Sequence, residues 1–157
     1  MAKYCLDTNV ILHLTWNYKE WSDNFLKQQS IAKYLENIDI KDLSITDITK
    51  KEIQYAQYNY EIRWKKINYS NLTIHQKEML TLFRKRNKII EKLKTYSFDV
   101  KAMHKYKKTR FQNKEWQKDH CDFLIASICL ANNLILITDD EKCFNYIDWL
   151  KIENWTK

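Results

Sequence analysis

The chain has 157 residues, 45% apolar and 14% aromatic, with no glycine and no proline. That length supports one domain over residues 1–157 with a core of its own. A charged share of 30%, with no apolar run approaching about 20 residues, excludes a membrane protein. The net charge of +7 is uneven: −2 over 1–49, +13 over 50–118 and −4 over 119–157. A basic middle between acidic ends suits an anion-binding surface next to a carboxylate site, or else a solvated helical face. Without glycine there are no P-loops and no dinucleotide-binding turns. Turns must rest on Asn, Asp, Ser and Lys, and Asn132 and Asn133 can take the left-handed conformation that ends a helix. Cysteines 5, 121, 129 and 143 lack CxxC spacing, and Asp7 stands where a signal peptide needs apolar residues; both point to a cytoplasmic protein with reduced thiols.

In chain order, Lys3 to Leu6 reads as a short strand ending at Asp7, and Val10, Ile11, Leu12 and Leu14 open a helix. Apolar residues at helical spacing over 25–38 predict a second helix, and Leu43 to Thr46 a second strand. Thr46 or Asp47 caps the next helix, which carries Glu52. From about 55 to 94 the pattern is helical, with a break at 68–71 and a capping box at Thr73 to Gln76, and reads as a helical arm. Thr95 to Phe98 reads as a strand, Val100 to Arg110 as a basic helix, Asp119 to Asn132 as an apolar-faced helix, and Leu134 to Thr138 as a strand ending at Asp139 and Asp140. Strands alternating with helices predict a three-layer α/β/α fold with a mainly parallel central sheet.

Asp7, Glu52, Asp122 and Asp140 each follow a strand or sit near the start of a helix. The C-terminal ends of parallel strands share one edge, so acids far apart in sequence can meet there. Crowded carboxylates repel one another, and a divalent cation relieves that repulsion. Any single one of them reads equally as a capping or surface residue; the grouping carries the argument.

The motifs around these acids resemble the PIN-domain ribonucleases, and within them the VapC-type toxins of toxin–antitoxin pairs, over nearly the whole chain. Leu6-Asp7-Thr8-Asn9-Val10-Ile11-Leu12 is similar to the family's LDTNVLL opening, and Leu43 to Ile53 to its second block, which leads to the glutamate. Phe98-Asp99-Val100-Lys101-Ala102 resembles the segment before the third block, Asp122 to Ser127 the third block, Leu136 to Asp140 the L-V-T-x-D/N stretch, and Leu150 to Trp155 the terminal L-x-I-E-D-W. The resemblance implies an endoribonuclease with Mg²⁺ or Mn²⁺ on Asp7, Glu52, Asp122 and Asp140, and with Thr8, Asn9 and Thr138 orienting them. It also implies tRNA or rRNA as substrate, a VapB-like antitoxin as partner and a homodimer. Asn133 replaces the usual glycine and Cys143 the usual acid before Phe144. Asp119, one turn before Asp122, either joins the site or favours the helix N-terminus by its charge.

Lys101, Lys105, Lys107, Lys108, Arg110, Lys114 and Lys118 precede the third acidic block and are candidate phosphate contacts. Lys77, Arg84, Lys85, Arg86, Lys88, Lys92 and Lys94 form a second basic run, open to RNA or an acidic partner. Tyr55, Tyr58, Tyr60, Trp64 and Tyr69 suit base stacking, a core or a dimer contact. The four histidines lack metal-ligand spacing and read as structural. Two other readings stay open: a housekeeping RNA-processing nuclease, and an inactive RNA-binding module. A phosphatase would want an Asp-x-Asp pair where the chain has Asp7-Thr8-Asn9.

Overall fold

A computed structural model of the chain describes residues 2–16, 18–20, 22–64, 69–112 and 120–157. Five strands form its sheet: β1 (Tyr4–Leu6), β2 (Leu43–Thr46), β3 (Lys94–Tyr96), β4 (Ile135–Ile137) and β5 (Lys151–Glu153). They lie in the order β3-β2-β1-β4-β5, every pairing parallel, with Cys5 beside Ser44 on one side and Leu136 on the other. Parallel neighbours need crossovers, and seven helices accompany the strands among the described residues: α1 (Thr8–Thr15), α2 (Asp23–Leu35), α3 (Asp47–Trp64), α4 (Ile74–Ile90), α5 (Val100–Gln112), α6 (His120–Asn132) and α7 (Glu141–Phe144). This is the expected three-layer α/β/α architecture. β5 is a three-residue edge strand within the terminal motif, too short to stand out from it in sequence.

Strand alternation divides the core. Leu6 and Ile137 face one way and pack with Val10 and Ile11 of α1, Ile31 of α2 and Ile90 of α4. Their neighbours Cys5 and Leu136 face the other way, against Phe123, Ile125, Ala126 and Cys129 of α6 and Phe144 of α7. Both layers are therefore coded by three-residue strands buried on two sides, which explains why these segments read as continuous apolar runs.

The expected local signals are in place. Thr46 Oγ1 accepts from the Thr49 N–H at 3.0 Å, so Thr46 rather than Asp47 caps α3. The Thr73–Gln76 capping box has both of its hydrogen bonds, at 2.7 and 3.3 Å. Asn133 takes φ 53°, and the Leu134 N–H closes on the Cys129 carbonyl at 2.9 Å to end α6. The described residues of the helical arm at 55–94 lie mainly in α3 and α4, as expected, and its inner side packs on the core: Phe83, Arg86 and Ile90 are buried, and Tyr60 packs on Phe83. Arg86 thus leaves the solvated basic run. Its Nε donates to Thr15 Oγ1 at 2.9 Å and its guanidinium lies against Trp16 and Phe83, while Lys85 and Lys88 on either side stay exposed. Asp119, Lys114 and Lys118 lie outside the described residues.

Candidate active site

β1 delivers Asp7 to the C-terminal edge of the sheet, where its backbone N–H bonds the Ile137 carbonyl of β4 at 3.0 Å and its carboxylate caps α1. Oδ1 accepts from the Thr8 N–H at 2.7 Å, and Oδ2 from the Thr138 hydroxyl at 2.8 Å. The residue is 7% exposed. Burial pushes its carboxyl from 3.8 up to about 6; the Thr138 and Thr8 hydrogen bonds oppose the rise, and the charges of Glu52 and Asp139 add to it.

Glu52 arrives from the second turn of α3 and accepts a hydrogen bond from the Thr8 hydroxyl, so Thr8 alone holds two carboxylates, Asp7 through its N–H and Glu52 through its side chain. Thr138, fully buried at the end of β4, connects the halves of the site. While donating to Asp7, its oxygen accepts from Asn9 Nδ2 at 3.1 Å and from the Asp140 backbone N–H at 3.0 Å. Thr8 and Thr138 thus hydrogen-bond the carboxylates of Glu52 and Asp7, and Asn9 reaches Asp7 only through Thr138.

The other two acids meet through a thiol. Cys143 Sγ donates to Asp140 Oδ2 at 3.1 Å, and hydrogen bonds to Asp140 and Asp122, with burial and the charges of both, push the thiol up to about 12. The geometry is thus an Asp7–Glu52 half and an Asp122–Asp140 half joined by Thr138. Among the described residues no three His, Cys, Asp or Glu side chains already stand together as a metal cage. Mutual repulsion favours such separation of carboxylates. The donor chemistry fits a hard divalent cation: carboxylate oxygens from both halves, and the amide oxygen of Asn9, buried and without a hydrogen-bond partner.

Sequence reasoning missed the support behind this edge. Asp139 accepts from Lys27 Nζ at 3.2 Å and pairs with His13 Nε2 at 2.9 Å, and Tyr18 OH meets His13 Nδ1 at 3.2 Å. Burial pushes the Asp139 carboxyl up, but His13 and Lys27 outweigh it and hold the group below 3.8. Only the Asp139-Asp140 doublet hinted at this; nothing local links Lys27 to a residue 112 positions away.

Lys101, Lys105, Lys107 and Lys108 are exposed on α5. Arg110, nearer the acids, bonds the Tyr106 hydroxyl and meets His120 Nδ1, two residues before Asp122. A groove of about 600 Å³ lies elsewhere, between the end of α1 and α4, lined by Trp16, Ile74, Met79, Leu82, Lys77 and Lys85 among others. No helix among the described residues is long and apolar enough to cross a membrane.

No protein-family model and no curated protein matches the sequence. Solved structures do. The structure of FitAcB from Neisseria gonorrhoeae is similar with TM-score 0.70 at 20% identity, covering 97% of each chain. DNA-bound VapBC from Salmonella typhimurium gives 0.69 at 20%, covering 99% of each, and VapBC-1 from nontypeable Haemophilus influenzae 0.69 at 22%, covering 98% of each. The chain therefore has the PIN-like fold of these toxin–antitoxin structures, the architecture that the motif resemblance implied.

Proposed function

We propose that the chain is a metal-dependent endoribonuclease and the toxin of a VapBC-type pair, acting on tRNA or rRNA in the cytoplasm. The observation that carries this reading is Asp7: a buried carboxylate at the end of the central strand, raised to about 6 and crowded by Glu52, is an arrangement that a divalent cation would relieve. Asp7, Glu52, Asp122 and Asp140 would hold the ion. Mg²⁺ or Mn²⁺, when bound, supplies Lewis-acid activation of water and stabilises charge on the leaving oxygen. Water oxygen bonds to phosphorus and the P–O3′ bond breaks, leaving 5′-phosphate and 3′-hydroxyl ends.

The chain's own residues position this chemistry. Thr138 and the Thr8 N–H fix both oxygens of Asp7, and Thr8 Oγ1 fixes Glu52. His13 and Lys27 tether Asp139 and so the backbone that carries Asp140. Lys101, Lys105, Lys107, Lys108 and Arg110 of α5 bind RNA phosphates along the helix, with Arg110 at its end beside His120. Two surfaces support the reading of an antitoxin and a second copy as partners. The groove between α1 and α4 suits an antitoxin segment. Tyr55, Tyr58 and Ile62, spaced three and four apart on α3 and 67%, 60% and 49% exposed, suit a second copy of the chain. Four free cysteines agree with a reducing compartment.

The test is cleavage of total RNA by wild type and Asp7→Asn, with Mg²⁺ or Mn²⁺ and with chelator, followed by sequencing of 5′-phosphate ends. Cleavage by wild type with metal alone is the expected result. Equal RNA binding by both proteins without any cleavage would replace the nuclease by the inactive RNA-binding module.

A further inference from the structure

The turn before β5 closes with the Leu150 N–H on the Ile147 carbonyl at 3.3 Å, and its third residue, Trp149, has φ 70°. A type II turn reserves that position for glycine or asparagine, because a Cβ there crowds the backbone. The chain has no glycine but 13 asparagines, and where α6 needs a positive φ it uses Asn133. Trp149 is nevertheless 76% exposed. A bulky ring is thus kept where backbone sterics disfavour it and no core rewards it, which marks the position as a candidate for function.

Its surroundings identify the ligand chemistry. Lys108 Nζ stands 4.4 Å from the ring centroid, and Lys105, Thr109, Leu130 and Asp148 complete the patch, with two lysines against one carboxylate. Both lysines are exposed on α5, the helix that runs on to Arg110 and, through His120, to the third acidic block. An exposed aromatic plane flanked by cations is the composition that takes single-stranded nucleic acid: the ring receives a base and the lysines receive phosphates.

We infer that Trp149 stacks an unpaired nucleobase of the RNA while Lys105 and Lys108 hold the neighbouring phosphates, an anchor at the opposite end of the sheet from the carboxylates. Roughly 10 Å of three-residue strand separates the two ends, so the anchored nucleotide is not the one that is cut. The anchor rests on the nuclease reading and gives its substrate a further feature: an unpaired base held away from the cleaved bond.

The test uses Asp7→Asn protein, so that RNA stays intact, and fluorescence anisotropy with a ten-nucleotide oligoadenylate over a salt series. Adding Trp149→Asn, which suits the turn and should not lower Tm, is expected to raise Kd about 5- to 150-fold with an unchanged salt slope. Trp149→Tyr should recover most of the binding, whereas Lys108→Ala should lower the slope of log K against log salt by about 0.7. An unchanged Kd for Trp149→Asn overturns the inference, as does a loss with the same slope change as Lys108→Ala. So does a change in sedimentation without a change in Kd, which would make the patch a protein contact. Cleavage by wild-type protein is read separately: if it cuts RNA while Trp149→Asn binds normally, the anchor alone fails. If wild type neither cuts nor binds, the nuclease reading fails with it.

Discussion

Asp7→Asn should make the protein more stable while abolishing its activity. In the folded chain the Asp7 carboxyl titrates at about 6 against an ordinary 3.8, so between those values the folded state binds the proton that the unfolded state releases. Stability contributed by this residue therefore falls as pH rises from about 4 to about 6. At pH 7 the ionised form costs about 3 kcal/mol, at about 1.36 kcal/mol per pH unit of that gap. Asparagine removes this cost. It also turns an N–H toward Thr138 Oγ1, which already accepts from Asn9 and the Asp140 backbone, a mismatch worth about 1 kcal/mol. The net gain of about 2 kcal/mol should raise Tm by about 4–8 °C at pH 7 for a chain of this length. At pH 4, where wild-type Asp7 is neutral in the fold, the gain should vanish. Thermal unfolding followed by circular dichroism at pH 4 and pH 7 measures both arms, and Mg²⁺ should raise Tm for wild type only. A variant no more stable than wild type at pH 7, or equally stabilised at pH 4, would refute the electrostatic account of the site.

Thr138→Val keeps the shape of a fully buried residue but removes the donor to Asp7 and the acceptor for Asn9 and Asp140. Urea unfolding should show a loss of about 2–4 kcal/mol and cleavage should fall, with Thr138→Ser restoring both; a loss below about 0.5 kcal/mol would mean the network does not hold the site together. Cys143, raised from 9.0 to about 12 beside Asp140 and Asp122, should carry about 1,000-fold less thiolate at pH 8 than an ordinary thiol. Iodoacetamide labelling read by peptide mass spectrometry should accordingly be slow at Cys143 in the folded protein and fast in urea, and Asp140→Asn should quicken it; rapid labelling of folded wild type would place the thiol away from the two acids.

The parts of this protein legible in its sequence are those that short-range physics governs. The apolar run around Ile135–Ile137 read as a strand, helical spacing marked α2 and α6, and Thr73–Gln76 and Asn133 announced where helices begin and end. That Asp7 and Asp140 would come to one edge of the sheet was legible too, because parallel strands bring their C-terminal ends together whatever the loops do. Tertiary structure alone decided what depends on distant partners: that Thr138 links the two halves of the site, that Asp139 is held by Lys27 and His13, and that Cys143 lies between Asp122 and Asp140. It also took Arg86 out of an apparently solvated basic run and left Trp149 standing exposed in a turn. Periodicity records which face of an element is apolar, but the hydrogen bonds and charges that tune a carboxylate come from residues more than a hundred positions away, and folding alone brings them within reach.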